Sequence, residues 1–320
     1  MDRAACATTF FTYFQNAGEN VNGNNLARGV PGASLGANAE LDSTYNLMIV
    51  NRIISFAAAI IVTASGAFAS DEGQIRSFLK ITGFDVAIES IQLGAMAGPG
   101  MTGEDPEVFG RQWQELARDV FEPDAMVEDA IEMLAAVLPQ DVLDHGMAFY
   151  ESPLGQRLVE VENESHMTDD DVKYTEGAEI VAELVASGDL RVQLYKAMGD
   201  AIGSTDTAIR SLIEIQVRYL MAAMAAGASD LQLDEDDLRG ILLSQSEIMR
   251  EGIEENSLVA NAYAYRTVDE ADLIDYLAAL QDPRMGQVYE ILNAVQFEIM
   301  ANRYETMASR LDELAPETEL

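Results

Sequence analysis

From residue 70 onward the apolar residues recur at the spacing of one helix face, and no other period competes with it. Leu143, Met147, Tyr150 and Leu154 stand at i, i+4, i+7 and i+11, a single stripe of an α-helix. Val127, Ile131 and Leu134 form another stripe, as do Leu212, Ile215, Tyr219 and further residues up to Met224. After residue 70 no Asn-Gly or Asp-Gly turn separates alternating β-branched runs, so hairpins have no signal. The chain beyond that point reads as all-α.

One string decides how those helices are joined. "AFYESPLGQR", residues 148 to 157, returns in looser form as "AALQDPRMGQV", residues 278 to 288. A residue ahead of proline is pushed out of the α region, while proline itself suits the first turn of a new helix, where its missing N–H is not needed. Ser152 and Asp282 are therefore predicted N-caps, and Pro153 and Pro283 predicted N1 residues. Each pair turns one helix sharply into the next. Gly155 and Gly286, without side chains, are expected to let the new helix sit close to the old one, and the glutamine that follows can bond backbone groups of the corner.

The echo extends past the corner. Leu143, Met147, Tyr150 and Leu154 are answered by Leu273, Leu277, Leu280 and Met285, with one residue inserted where "PLG" becomes "PRMG". Leu158 and Val161 are answered by Tyr289 and Leu292, and "LKITGFDVAI", 79 to 88, looks like "LVASGDLRVQL", 184 to 194. These matches predict a duplication: two related helical bundle units in tandem, 70–170 and 171–320, with the boundary near residues 165 to 178.

Helix starts are marked by capping chemistry. Thr267-Val-Asp-Glu270 has the form of a capping box. Thr168 ahead of Asp169, Asp170 and Asp171, and Asp234 ahead of Glu235, Asp236 and Asp237, put negative charge on the free amides of a first turn. A calcium loop of the EF-hand type needs Gly at its sixth position, which neither cluster supplies, so both are read as caps.

Composition narrows the partners. Lys and Arg number 19 against 55 Asp and Glu, for a formal charge of -36. A polyanion of that size cannot neutralise phosphates, which argues against nucleic acid and anionic lipid as partners. Cys6 is the one cysteine, so there is no disulfide framework and no CxxC metal or redox motif.

Residues 48 to 69, "MIVNRIISFAAAIIVTASGAFA", carry a positive charge at Arg52, an apolar run from Ile53 to Val62 and small residues ending in Ala67-Phe68-Ala69. That order is the one a secretory signal peptide has, with cleavage expected after Ala69. Residues 16 to 38 are rich in Asn and Gly without any period, so 1–47 reads as a disordered extension and Met48 as the true start. The mature chain then runs from Ser70 to Leu320, free of cysteine, periplasmic or secreted, and with no membrane span left after cleavage.

With these features in place the chain resembles a family. "FLKITGFDVAIESI" at 78 to 91, "WQELARDVF" at 113 to 121 and above all "LPQDVLDHGMAFYESPLGQRLVE" at 138 to 160 are similar to the bacterial domain of unknown function 2059 (DUF 2059). The resemblance covers roughly residues 74 to 165, and the C-terminal half looks like a diverged second copy, in which Leu280 stands for Tyr150 and Asp282 for Ser152. It implies a helical, exported, periplasmic module. It carries no activity, cofactor or site residues to transfer.

Few residues offer chemistry. Asp141 with His145, and Glu162 with His166, are each four apart on a predicted helix and so share a face. Neither pair has the Glu-x-x-His spacing of di-iron bundles or the H-E-x-x-H of zinc peptidases, and both are read as surface ion pairs or helix decoration rather than metal ligands. No G-x-S-x-G nucleophile elbow occurs. Trp113 and the tyrosines are expected in the core, and Met221, Met224, Met249, Met300 and Met307 are expected to fill core gaps. No catalytic, cofactor-binding or metal-binding residue is assigned. The functional expectation is a binding or structural module of the bacterial envelope, whose partner is an envelope protein or a small apolar ligand. The alternative is an envelope hydrolase using carboxylates with His145 or His166.

Overall fold

The structure is a computed structural model and describes residues 71–96, 110–229 and 231–314. The extension 1–47, the signal-peptide segment 48–69 and Cys6 lie outside the described residues.

Every regular element among the described residues is helical, as the 3.6-residue period requires. In chain order the α-helices are α1 (Glu72–Thr82), α2 (Phe84–Glu89), α3 (Ile91–Met96), α4 (Gly110–Val120), α5 (Pro123–Val137), α6 (Gln140–Tyr150) and α7 (Pro153–Met167). They continue as α8 (Asp170–Ser187), α9 (Arg191–Ala201), α10 (Ser204–Ala225), α11 (Glu235–Ser244), α12 (Ser246–Ala264), α13 (Glu270–Leu280) and α14 (Pro283–Ser309).

Both proline corners form as the sequence dictates. Ser152 Oγ accepts from the Gly155 N–H, Asp282 from the Arg284 N–H, and a proline opens each new helix. Behind the first corner Gln156 Nε2 donates to the Glu151 carbonyl at 3.1 Å. The glycines differ. A Cβ on Gly155 would lie 2.3 Å from the Phe149 carbonyl oxygen, whereas one on Gly286 would have open space around it. The inserted residue explains this: Gly155 is the third residue of α7, but Gly286 is the fourth of α14, turned about 100° away. Met285, 1% exposed, takes the inward place instead.

Another pair of corners is built on left-handed glycine. Gly83 (φ 68°) ends α1 with its N–H on the Leu79 and Lys80 carbonyls, and Gly188 (φ 67°) ends α8 on Leu184 and Val185. Glycine tolerates this backbone because it lacks a Cβ.

Two predicted caps move. Asp169, not Thr168, caps α8, accepting from the Asp171 and Val172 N–H groups; the Thr168 hydroxyl instead donates to the Glu164 carbonyl and closes α7. The capping box at Thr267 does not form, since α13 begins at Glu270 behind Asp269. Residues 265–268 are held in a turn by Arg191, which donates to the carbonyls of Tyr265 at 3.3 Å and Val268 at 2.6 Å. Asp234 caps α11 as expected, accepting from the Asp237 N–H.

The long helix α14 lies at the centre, packed on α10, α5 and α6, while α12 packs on α8, α10 and α7. All the described helices fall within one compact unit, and helices of 70–170 and of 171–320 share its core, with Phe78, Leu134 and Leu158 beside Leu212, Leu273 and Leu292. Trp113 is buried as expected, its indole N–H on the Ala95 carbonyl at 2.9 Å. Met249, Met300 and Met307 are buried, and Met221 packs on the core from its edge.

Arginines pin this acidic chain together. Arg218 of α10 reaches Glu298, Asn302 and Glu305 of α14. Arg303 of α14 bonds Asp129 and the Val120 carbonyl. Arg157 of α7 meets Asp272 of α13 at 2.6 Å.

Candidate functional site

Within the largely apolar core lies a cluster of polar side chains. Tyr150 ends α6, Glu162 lies mid-way along α7, Tyr276 sits in α13 and Tyr289 in α14, while Tyr265 follows directly on α12. The four tyrosines are at most 1% exposed, and Glu162 is 6% exposed. Their oxygens form one connected network. Tyr150 and Tyr289 hydroxyls are 2.6 Å apart and Tyr289 and Tyr276 hydroxyls 2.7 Å. Tyr276 and Tyr265 then donate to Glu162 Oε1 at 3.2 and 3.0 Å.

The carboxylate sets the direction of that chain, because it only accepts. Tyr276 donates a hydrogen bond to Glu162 and so accepts from Tyr289, which in turn accepts from Tyr150. Hydrogen bonds aligned head to tail on a charge reinforce one another. The rings are packed as well: Phe149 stacks on Tyr276 with centroids 5.8 Å apart, and Tyr195 on Tyr265 at 6.1 Å.

The pair expected on the surface is therefore inside. Glu162 and His166 do share one face of α7, but that face is the buried one: His166 is 5% exposed, with Nδ1 3.4 Å from the Ser90 hydroxyl. His145 does not pair with Asp141. Its Nε2 lies 3.6 Å from Asp282, the residue that caps the second corner. The Arg284 N–H and the His145 ring hold the Asp282 carboxyl below its usual range. Sequence reasoning missed Tyr265, Tyr276 and Tyr289 as network members. It placed tyrosines in the core, and no local signal shows whose hydroxyl will meet which.

Lys173 is a second buried charge. It is 1% exposed, with Nζ 2.7 Å from Asp170 and 3.4 Å from the Ser165 carbonyl. Burial pushes its ammonium below the usual lysine value, although Asp170 resists this.

Burial pushes the Tyr276 and Tyr304 phenols well above their usual value, and raises Tyr195 in the same sense. An unfolded tyrosine ionises near pH 10. The folded state therefore holds protons that the unfolded state has lost, and stability falls as pH rises beyond about 10, by up to about 1.4 kcal/mol per pH unit for each such tyrosine. Lys173, whose folded value is depressed, works in the opposite sense only up to about pH 10.4. Urea midpoints measured from pH 9 to 11.5 should fall steeply above pH 10, and Tyr304→Phe should shallow that slope. A flat profile contradicts the assignment.

Outside the core, a shallow open cleft of ≈ 450 Å³ runs between α1 and α6, with Leu143, Met147 and Ala148 against Gln74 and Ser77 and with Asp71, Asp144 and Glu151 at its edge. Among the described residues no group of three or more His, Cys, Asp or Glu stands ready to hold a metal ion, and no helix is long and apolar enough to cross a membrane.

These features define an all-helical fold with a tyrosine–carboxylate network buried in its core. Residues 124–183 match the model of a family described as an uncharacterized protein conserved in bacteria (DUF2059), the family that the corner string resembles. The matched span holds Tyr150, Gly155, Glu162, His166 and Lys173, whereas "FLKITGFDVAIESI" and "WQELARDVF" fall outside it. No curated protein and no solved structure matches the chain.

Proposed function

We propose that the chain is an exported, periplasmic or secreted protein that acts by binding or by structural interaction in the bacterial envelope. Its two related helical units, 70–170 and 171–320, share one core. Export rests on the signal-like order of residues 48–69. The duplication is supported by the matched proline corners at Ser152-Pro153 and Asp282-Pro283 and by the matched glycine caps at Gly83 and Gly188. The interaction role is carried by one observation: the groups best suited to chemistry, Glu162 and His166, are bonded inside the core, away from any substrate. His145, the other histidine of the hydrolase alternative, sits on the cap of the second corner.

The test of export is N-terminal sequencing of the native protein recovered by osmotic shock. A first residue of Ser70 supports it, and an intact Met1 in the shocked cells overturns it. The interaction role is tested separately, by crosslinking in intact cells through a photoreactive residue placed at the α1–α6 cleft. A defined crosslinked envelope protein supports it; the free chain alone speaks against it.

A further inference from the structure

We infer that α8 is a latch, a helix that undocks from α12 as a unit while the remaining helices stay folded. Of its 18 residues only Lys173 and Gly177 are buried. One is a charge and the other has no side chain, so the helix brings little apolar surface out of water. Ile180, Val181 and Leu184 add partial contacts, while Val172 and Val185 remain 44% and 60% exposed. By contrast α14 is fixed by Val288, Tyr289, Leu292 and Met300, each fully buried. Helices with few buried apolar contacts open at a lower free energy than the core.

The two buried positions dock α8 only weakly. At one point Gly177 brings the two helices together so closely that a Cβ there would lie 2.4 Å from the Val259 carbonyl oxygen. One turn earlier Lys173 is drawn from water to reach Asp170 and the Ser165 carbonyl, and a charge taken from water recovers that cost only in part. Beside that carbonyl, the buried Ser165 hydroxyl has no hydrogen-bond partner among the described residues, so opening lets water reach it. Both ends are hinged: α8 follows the bend at Thr168-Asp169 and ends at the left-handed Gly188. Opening bares the Val259 surface of α12 and the carboxyl end of α7, whatever the chain binds.

Hydrogen exchange on the full chain, read by mass spectrometry, tests this. Amides of α8 should exchange at least about 100-fold faster than those of residues 288–300 in α14. Lys173→Met, which removes the buried charge, should slow α8 by about tenfold. Gly177→Ala should leave α8 unprotected with α14 unchanged. Equal protection of α8 and α14 in the unaltered protein, or a Gly177→Ala variant that releases α14 as much as α8, would overturn the inference.

Discussion

Replacing Glu162 by Ala should destabilise the protein by about 2–6 kcal/mol, the cost of taking the acceptor from two buried donors. The side chain is the acceptor of both Tyr265 and Tyr276. Without it two fully buried phenols lose this acceptor, each loss at about 1–3 kcal/mol. The damage travels further, because Tyr276 orients Tyr289 and Tyr289 orients Tyr150. Glu162→Gln keeps the shape and one acceptor oxygen but gives up the charge, so it should cost less, about 1–2 kcal/mol. Tyr276→Phe removes one donor and leaves the Tyr289 hydroxyl to find another acceptor. The Glu162→Ala and Tyr276→Phe losses should therefore be strongly non-additive when combined. Urea unfolding of the parent, the three single variants and the double variant measures all of this; a Glu162→Ala variant within about 1 kcal/mol of the parent would mean that the network carries no weight.

Parts of this molecule differ in how legible they are in the sequence. Helices are legible because their period is local, and the corners are legible because proline acts on its immediate neighbours. Ser152, Asp282 and Asp234 cap where chain chemistry says they should. The two misplaced caps fail for a tertiary reason. Thr267 lies in a turn that Arg191, far away in sequence, grips by its carbonyls, so α13 cannot start until Asp269. The Thr168 hydroxyl is taken by the carbonyl of Glu164, and the cap passes one residue on.

The interior of the site is less legible still. A glutamate and a histidine four residues apart look like surface decoration, because burying both requires partners that the local sequence does not contain. Here Tyr265 and Tyr276 arrive from more than 100 residues away, brought in by the packing of α12 on α7 and by the Arg157–Asp272 tie between α7 and α13. The periodicity marked Tyr150 and Tyr289 as core positions; it is silent on the hydroxyls. The family match is consistent with this division, since residues 124–183 carry the acceptor and Tyr150 while the other three tyrosines lie outside the span. The matched segment therefore has buried polar groups that it does not satisfy alone.

The corner glycines give the second large effect, and its sign should differ between two positions that look alike in the sequence. Gly155→Ala should cost about 3 kcal/mol, the upper part of the range for overpacking. Its new methyl would fall 2.3 Å from the Phe149 carbonyl oxygen and 2.6 Å from the Tyr150 Cα. Both are backbone atoms of the preceding helix, so no side-chain rotation relieves the clash. The corner must open, and opening it pulls Tyr150 away from Tyr289. Gly286→Ala meets nothing within 4 Å and lies inside a helix, where alanine is favoured over glycine by about 0.5–1 kcal/mol. It should therefore stabilise the protein by that amount. Thermal or urea unfolding of the two single variants separates the cases directly. If both substitutions destabilise equally, the one-residue insertion in "PRMG" has not turned Gly286 off the contact face, and the two corners are closer copies than their packing indicates.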